Sequence, residues 1–170
     1  AALEAFEGVE PERAAWLARA ARGRYGLAKR MHADPSINVL RESVEEDVRR
    51  LARSGRGPRF DYAEQLGGAW YRERDGVLQT IDLWRDWWRD VLVAASGAET
   101  DVPDVVAEEA RLVRPVDALR ALRAVQTARE HLLANTHATL ALEVMMLDLP
   151  VVNAPMPAGR EDREAATAGR

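Results

Sequence analysis

The sequence predicts an all-α protein, a bundle of five or six helices preceded by a small helical piece. Apolar residues recur at helical spacing through most of the chain, and no segment has the clear alternation of a strand. The composition, with 47% apolar and 31% charged residues, is typical of a folded domain with a solvated surface. The 170 residues are enough for one ordinary domain, or for one domain plus a fragment of another.

The first half of the chain is predicted to contain four helices. Two are short; the first carries Pro11 in its opening turn, and the second ends at Asp34-Pro35, because a residue before proline disfavours helical geometry. A long amphipathic helix follows from about Ser36 to Ser54. The run 54–58, Ser-Gly-Arg-Gly-Pro, predicts a loop, and Gly67-Gly68 could interrupt the helix after it.

Tryptophan is concentrated in the next helix, which is predicted from Val77 to Ala95. Trp84, Trp87 and Trp88 fall within five positions and cannot all face one narrow seam. We therefore expect at least one of them to lie at a boundary between this bundle and another body. The alternative is that all three are core residues.

The C-terminal end is predicted to form a short helix over 105–112 and then two longer helices joined by a tight junction. The last helix, Ala138 to Leu147, has no polar face, so it must be covered all round by its own chain or by another. We expect the rest of the bundle to be organised around this hairpin. Asn135 is predicted to close the first helix in the left-handed conformation, and Thr136 to cap the second.

Residues 150–170 contain three prolines and no sustained apolar period, which predicts a tail. The chain begins Ala-Ala-Leu without an initiator Met, which suggests a piece of a longer protein.

Charge and cysteine content favour some environments over others. The net charge of −4 does not favour binding to a phosphate backbone or to anionic lipid. No apolar run approaches the ~18 residues of a membrane span, and the absence of cysteine fits a reducing compartment. We therefore expect a cytoplasmic protein without membrane contact.

The usual catalytic motifs are missing from the sequence. There is no phosphate-binding loop, GxGxxG, HExxH or GxSxG. His131 and His137 could bind a metal only with a third ligand that the sequence does not identify, so capping or surface roles are favoured. Glu45-Glu46-Asp47 is interpreted as a solvated helix face balanced by Arg49 and Arg50. We expect no catalytic residue, no metal site and no enzyme activity in this chain.

Three segments resemble the clamp-loader subunits of bacterial DNA polymerase III. The junction of their last two helices usually reads Asn-x-Asn-Pro-x-Leu-x-Leu-Glu; here Asn135, Leu140, Leu142 and Glu143 match, while the second Asn and the Pro are replaced. The segment 83–92, LWRDWWRDVL, is similar to the Trp-x-Arg-Asp-x-Leu helix of delta prime subunits. The segment 23–28, GRYGLA, lies where the sensor-2 helix of an AAA+ lid begins.

The resemblance implies a domain assignment and a function. Residues 1–34 would be the end of an AAA+ lid, 35–149 the C-terminal collar domain and 150–170 a tail. A collar domain is a non-catalytic oligomerisation domain that assembles with the other clamp-loader subunits into a pentameric, DNA-dependent ATPase. That complex loads the sliding clamp on primed DNA during DNA replication. No cofactor is implied in this piece; ATP and Mg²⁺ would belong to partner subunits, and the sliding clamp and DNA would contact domains missing here.

The resemblance also implies which residues carry these roles. In the ATP-hydrolysing subunits an Arg follows the first Gly, here Gly23, by three positions, and this chain has Gly26 there. This implies a delta prime-like subunit, with gamma/tau as the nearer alternative. Arg24 and Arg30, within the basic cluster of Arg22, Arg24, Lys29 and Arg30, could contact phosphate, although ordinary solvated charge is the default interpretation. The candidate subunit-interface residues are Trp84, Trp87, Trp88, Arg89, Asn135, Leu140, Glu143, Met145 and Met146, and the alternative for the tryptophans, the methionines and Leu140 is the core.

Two competing hypotheses come from other classes. The chain could be a free-standing helical protein-protein adaptor unrelated to replication, or a small enzyme whose site is made from scattered polar residues.

Overall fold

The computed structural model describes residues 8–21, 25–34, 36–98 and 102–152, and every regular element within those ranges is an α-helix. The predicted all-α class is therefore confirmed. The helices, in chain order, are α1 (Pro11–Ala20), α2 (Tyr25–Ala33), α3 (Ser36–Ala52), α4 (Arg56–Trp70), α5 (Arg74–Ala95), α6 (Asp104–Leu112), α7 (Pro115–Leu133) and α8 (Ala138–Asp148). In the described part of the chain, no helix has both the length and the apolar content needed to cross a membrane.

Helix α5 is the centre of the bundle. α3, α4, α6 and α7 all pack against it, and its buried side chains come from most of its circumference. α8 packs mainly on α4 and α7 instead, at one side of the bundle. The C-terminal hairpin that was expected to organise the bundle therefore contacts it through both of its helices, α7 on α5 and α8 on α4, whereas the helix with the most neighbours is α5.

The two short N-terminal helices form a second, smaller apolar cluster. The cluster consists of four residues in and around α1, two of α2 and one at the start of α3: Val9, Ala14, Leu17, Ala21, Ala28, Met31 and Ile37. Apart from Ala141, the other buried apolar residues of the described ranges belong to the main core of α3 to α8. Two short helices in front of a bundle were predicted, and both are present.

Two predicted interruptions around α4 are wrong. The loop expected over 54–58 is shorter, because α4 begins at Arg56 and carries Pro58 in its first turn, where an amide has no partner within the helix. α4 also continues through Gly67 and Gly68. A Cβ atom on Gly67 would lie 2.7 Å from Cα and 2.9 Å from N of Thr139, so the missing side chain lets α4 and α8 cross closely. A Cβ on Gly68 would meet open space.

The junction between α7 and α8 was predicted in part. Asn135 has φ 55°, which confirms the left-handed closure of α7. The Thr136 hydroxyl instead donates to the carbonyl of His131 at 2.8 Å. The amide of Leu140 donates to Nδ1 of His137 at 3.3 Å, so His137, and not Thr136, caps α8. An imidazole nitrogen replaces the hydroxyl oxygen that was expected there.

The predicted tail begins later than Pro150. Val152 is buried, and its amide donates to the carbonyl of Ala52 at 2.8 Å, which ties this segment to the end of α3. The rest of the predicted tail, 153–170, lies outside the described residues.

Arg59 of α4 is buried and holds the ends of α3 and α8 together. Its guanidinium donates to five carbonyls, those of Leu51, Ala52, Met146, Leu149 and Pro150. Helix carboxyl ends carry partial negative charge, so these carbonyls compensate a buried cation without a carboxylate. Burial lowers the pKa of Arg59 from its usual value.

Candidate interaction surface

The three clustered tryptophans lie inside the chain. Trp84, Trp87 and Trp88 are all buried, and Trp84 donates its indole N–H to the Tyr62 hydroxyl at 3.3 Å. The expectation that at least one lies at a boundary is wrong, because α5 has helices on several sides and each indole finds protein around it. As placed, these side chains have almost no surface left for a partner.

The other interface candidates divide between the interior and the surface. Met145 and Met146 are buried on the inner side of α8. Arg89 and Asn135 are exposed, and Glu143 is partly exposed.

The outer side of α8 is an exposed apolar surface. Leu140 is 57% exposed, Val144 48% and Leu147 51%. Their spacing of four and then three residues places them on one face of the helix, opposite the buried residues. These three side chains are called the α8 ridge below. α8 is thus apolar on nearly every side, as predicted, but within the part of the chain that the structure describes only its inner half is covered.

A groove lies on either side of the α8 ridge. One, the α7–α8 groove, encloses about 290 Å³ between those two helices, and Val144 lines it. The other encloses about 210 Å³ beside the start of α4, and Leu147 lines it. The ridge thus lies between two grooves. Side chains of another helix can pack into these grooves on either side of the ridge.

Two features hold α8 in place on the bundle. Gly67 allows the close crossing with α4 near its first turn, and Arg59 bonds carbonyls at its last turn. Both ends of the ridge are therefore fixed before any partner binds, which lowers the ordering cost of association.

The sensor-2 candidates are described only in part. Gly23 and Arg24 lie outside the described residues, while Gly26 and Arg30 are exposed positions of α2. A nucleotide contact at these positions stays a prediction.

The polar cluster noted on α3 has ion-pair partners on α3 itself and, for Arg49, on α6. Glu45 bonds Arg41 at 3.1 Å, and Asp47 bonds Arg50 at 2.6 Å. Arg49 approaches Glu109, which is buried on α6 and is bonded by both terminal guanidinium nitrogens of Arg53. Among the described residues, no group of three or more His, Cys, Asp and Glu side chains is arranged to hold a metal ion.

Sequence reasoning missed several residues that shape this surface. Val144 and Leu147 were not singled out, although their helical spacing from Leu140 was a visible signal. Arg59 and Gly67 gave no local signal for this surface, because the contacts that they make with α8 are more than seventy residues away in sequence.

No family model, curated protein or solved structure matches this chain.

Proposed function

We propose that this chain is an oligomerisation domain and, more specifically, the collar domain of a DNA polymerase III clamp-loader subunit that assembles with the other clamp-loader subunits. The observation that carries the proposal is the α8 ridge, an apolar surface held on a fixed helix and left uncovered by the described residues of the chain. The specific assignment is supported by the resemblance of the hairpin junction and of the segment 83–92 to that family.

The size of the ridge decides how it would act in an interface. Burying a whole Leu or Val side chain is worth about 1.5–3 kcal/mol, so three half-exposed side chains contribute roughly 2–4 kcal/mol. Association costs at least about 4 kcal/mol in lost translational and rotational freedom. The ridge therefore acts as the energetic centre of a larger contact, and closure of a ring adds to its effect by holding each subunit between two neighbours.

The test is light scattering of this chain alone and mixed with collar fragments of the other clamp-loader subunits from the same source. We expect a larger species in the mixture, and we expect Leu140→Asp and Val144→Asp each to abolish it while circular dichroism remains helical. Val39→Asp is the matched control, because Val39 is an exposed valine on α3, outside the ridge. It should assemble normally.

Two results would overturn parts of the proposal. A chain that stays monomeric in every mixture excludes the collar assignment and favours the free-standing adaptor. Assembly that survives both ridge substitutions excludes the ridge as the contact surface.

A further inference from the structure

The α7–α8 groove combines an apolar floor with a basic rim. Its floor is formed by Ala124 and Ala128 of α7 and by Ala141 and Met145 of α8, and the three alanines leave room between the two helices. Val144 of the ridge forms one wall. A floor of small residues admits the apolar side chains of a helix laid along the groove.

Two arginines lie along the α7 side of the groove. Arg120 is already engaged: it bonds Asp117 at 3.2 Å and the carbonyl of Asp148 at 3.3 Å. Arg123 is exposed, and no hydrogen bond or ion pair joins it to the described residues. Asp148 is the acidic residue that lines the groove, and its main-chain carbonyl is the one that accepts from Arg120. The middle of the rim thus presents an uncompensated cation next to an apolar floor.

We propose that the α7–α8 groove binds an amphipathic helix of a partner protein that carries acidic residues along one flank of its apolar stripe. This inference rests on the proposed function, which states that this side of the molecule contacts a partner. It adds that the partner is an amphipathic helix with an acidic flank. Arg123 would pair with the acidic flank, while the apolar stripe packs on the groove floor and against Val144.

A second copy of this chain is a weaker occupant of the groove. Burial of a whole Leu or Val side chain, worth about 1.5–3 kcal/mol, corresponds to about 60–120 Å² of apolar area at about 25 cal/mol per Å². The three half-exposed ridge side chains can therefore bury roughly 150 Å² of apolar area in a contact. A stable interface buries about 800 Å² on each partner. Two copies paired through their ridges alone fall well short of that area, and the three apolar ridge residues offer no carboxylate to Arg123. An inserted amphipathic helix contacts the groove floor and both walls and can supply that carboxylate.

The probe for this proposal is a pair of fluorescent stapled helices of about 18 residues, roughly five turns. Both carry leucines at helical spacing; one has glutamates along one flank and the other has lysines at the same positions. We expect fluorescence anisotropy to show the glutamate helix binding at least tenfold more tightly than the lysine helix.

Substitution of the rim cation tests the origin of that preference. Arg123→Glu should reverse it, because the same position then repels glutamate and attracts lysine. Arg111→Glu is the matched control, since Arg111 is an exposed arginine on α6 and the substitution changes the net charge equally. It should leave the preference unchanged. Val144→Asp should weaken binding of both helices.

Each other outcome is decisive as well. Equal affinity for the two helices, or no binding of either, overturns the proposal. A dimer of the chain in sedimentation velocity that Val144→Asp dissociates would identify a second copy as the occupant and would also overturn it. If the peptide preference is observed but collar fragments do not assemble, the clamp-loader assignment fails and the chemistry of the groove stands.

Discussion

Two adjacent glycines of α4 should respond in opposite ways to the same substitution. Alanine is favoured over glycine in a helix by about 1 kcal/mol, and this gain applies equally at both positions. At Gly68 the added Cβ meets nothing, so we expect Gly68→Ala to stabilise the protein by about 0.5–1 kcal/mol. At Gly67 the Cβ meets backbone atoms of Thr139, which cannot move without α8.

The steric cost at Gly67 can be bounded from the structure. Overpacking typically costs about 1–3 kcal/mol, and contact with backbone at 2.7 and 2.9 Å places this case in the upper part of that range. After the helix gain is subtracted, Gly67→Ala should lower the free energy of unfolding by roughly 1–2 kcal/mol. The two variants should therefore differ by roughly 2–3 kcal/mol.

Urea unfolding followed by tryptophan fluorescence and by circular dichroism measures this difference. Four of the five tryptophans are buried in the main core, so the fluorescence mainly reports that core, whereas the dichroism reports all helices. Coincident curves therefore also support a two-state transition. Equal stability of Gly67→Ala and Gly68→Ala would show that α4 and α8 do not cross at this distance, and would refute the account of how α8 is held.

Two further predictions concern the buried side chain of Arg59 and the partly buried side chain of Tyr62. Arg59→Met should lower the free energy of unfolding by roughly 2–4 kcal/mol, because five carbonyls lose their charged donor. Arg59→Lys should recover only part of this loss, since one ammonium cannot reach both helix ends; full recovery in urea unfolding would contradict the capping role. Burial raises the pKa of Tyr62 from 10.0 to about 12, so the folded state favours the neutral phenol. This preference contributes roughly 2 kcal/mol to the free energy of unfolding. The contribution should be fully present below pH 10 and lost between pH 10 and about 12. Tyr62→Phe should lack this alkaline loss when unfolding is measured across that interval, and identical profiles for the two proteins would refute the burial argument.

The helices could be predicted from the sequence because their periodicity is local. The bounds of α3, α6 and α8 agree with the prediction to within one or two residues, since apolar spacing and proline positions define them. The burial of one helix by several neighbours depends on segments that are distant in sequence, so local periodicity does not predict it. Three tryptophans in five positions exclude a single narrow seam, but only the positions of α3, α4, α6 and α7 around α5 explain why all three are core.

The candidate surface could be predicted only as a property of α8 as a whole. The lack of a polar face on α8 was visible in the sequence. The structure shows that one half of this apolar helix surface is covered and the other half is open. Leu140 was a candidate and lies on the open half, whereas Met145 and Met146 lie on the covered half. The division depends on the crossing with α4 at Gly67 and on the bonds of Arg59, both of which join segments distant in sequence.

The outer face of α8 is the strongest argument that this chain has a partner. Leu140, Val144 and Leu147 contribute little to the core, so polar residues at these positions would cost the fold little and would lower the exposed apolar area. A surface helix of a monomer normally has polar residues there. Arg59 and Gly67 also hold α8 in a fixed position. A conventional amphipathic helix could be held in the same way, so the fold does not require apolar residues on the outer face. Apolar side chains on a held, outward face are what an association surface requires, and the proposed collar contact gives them that role.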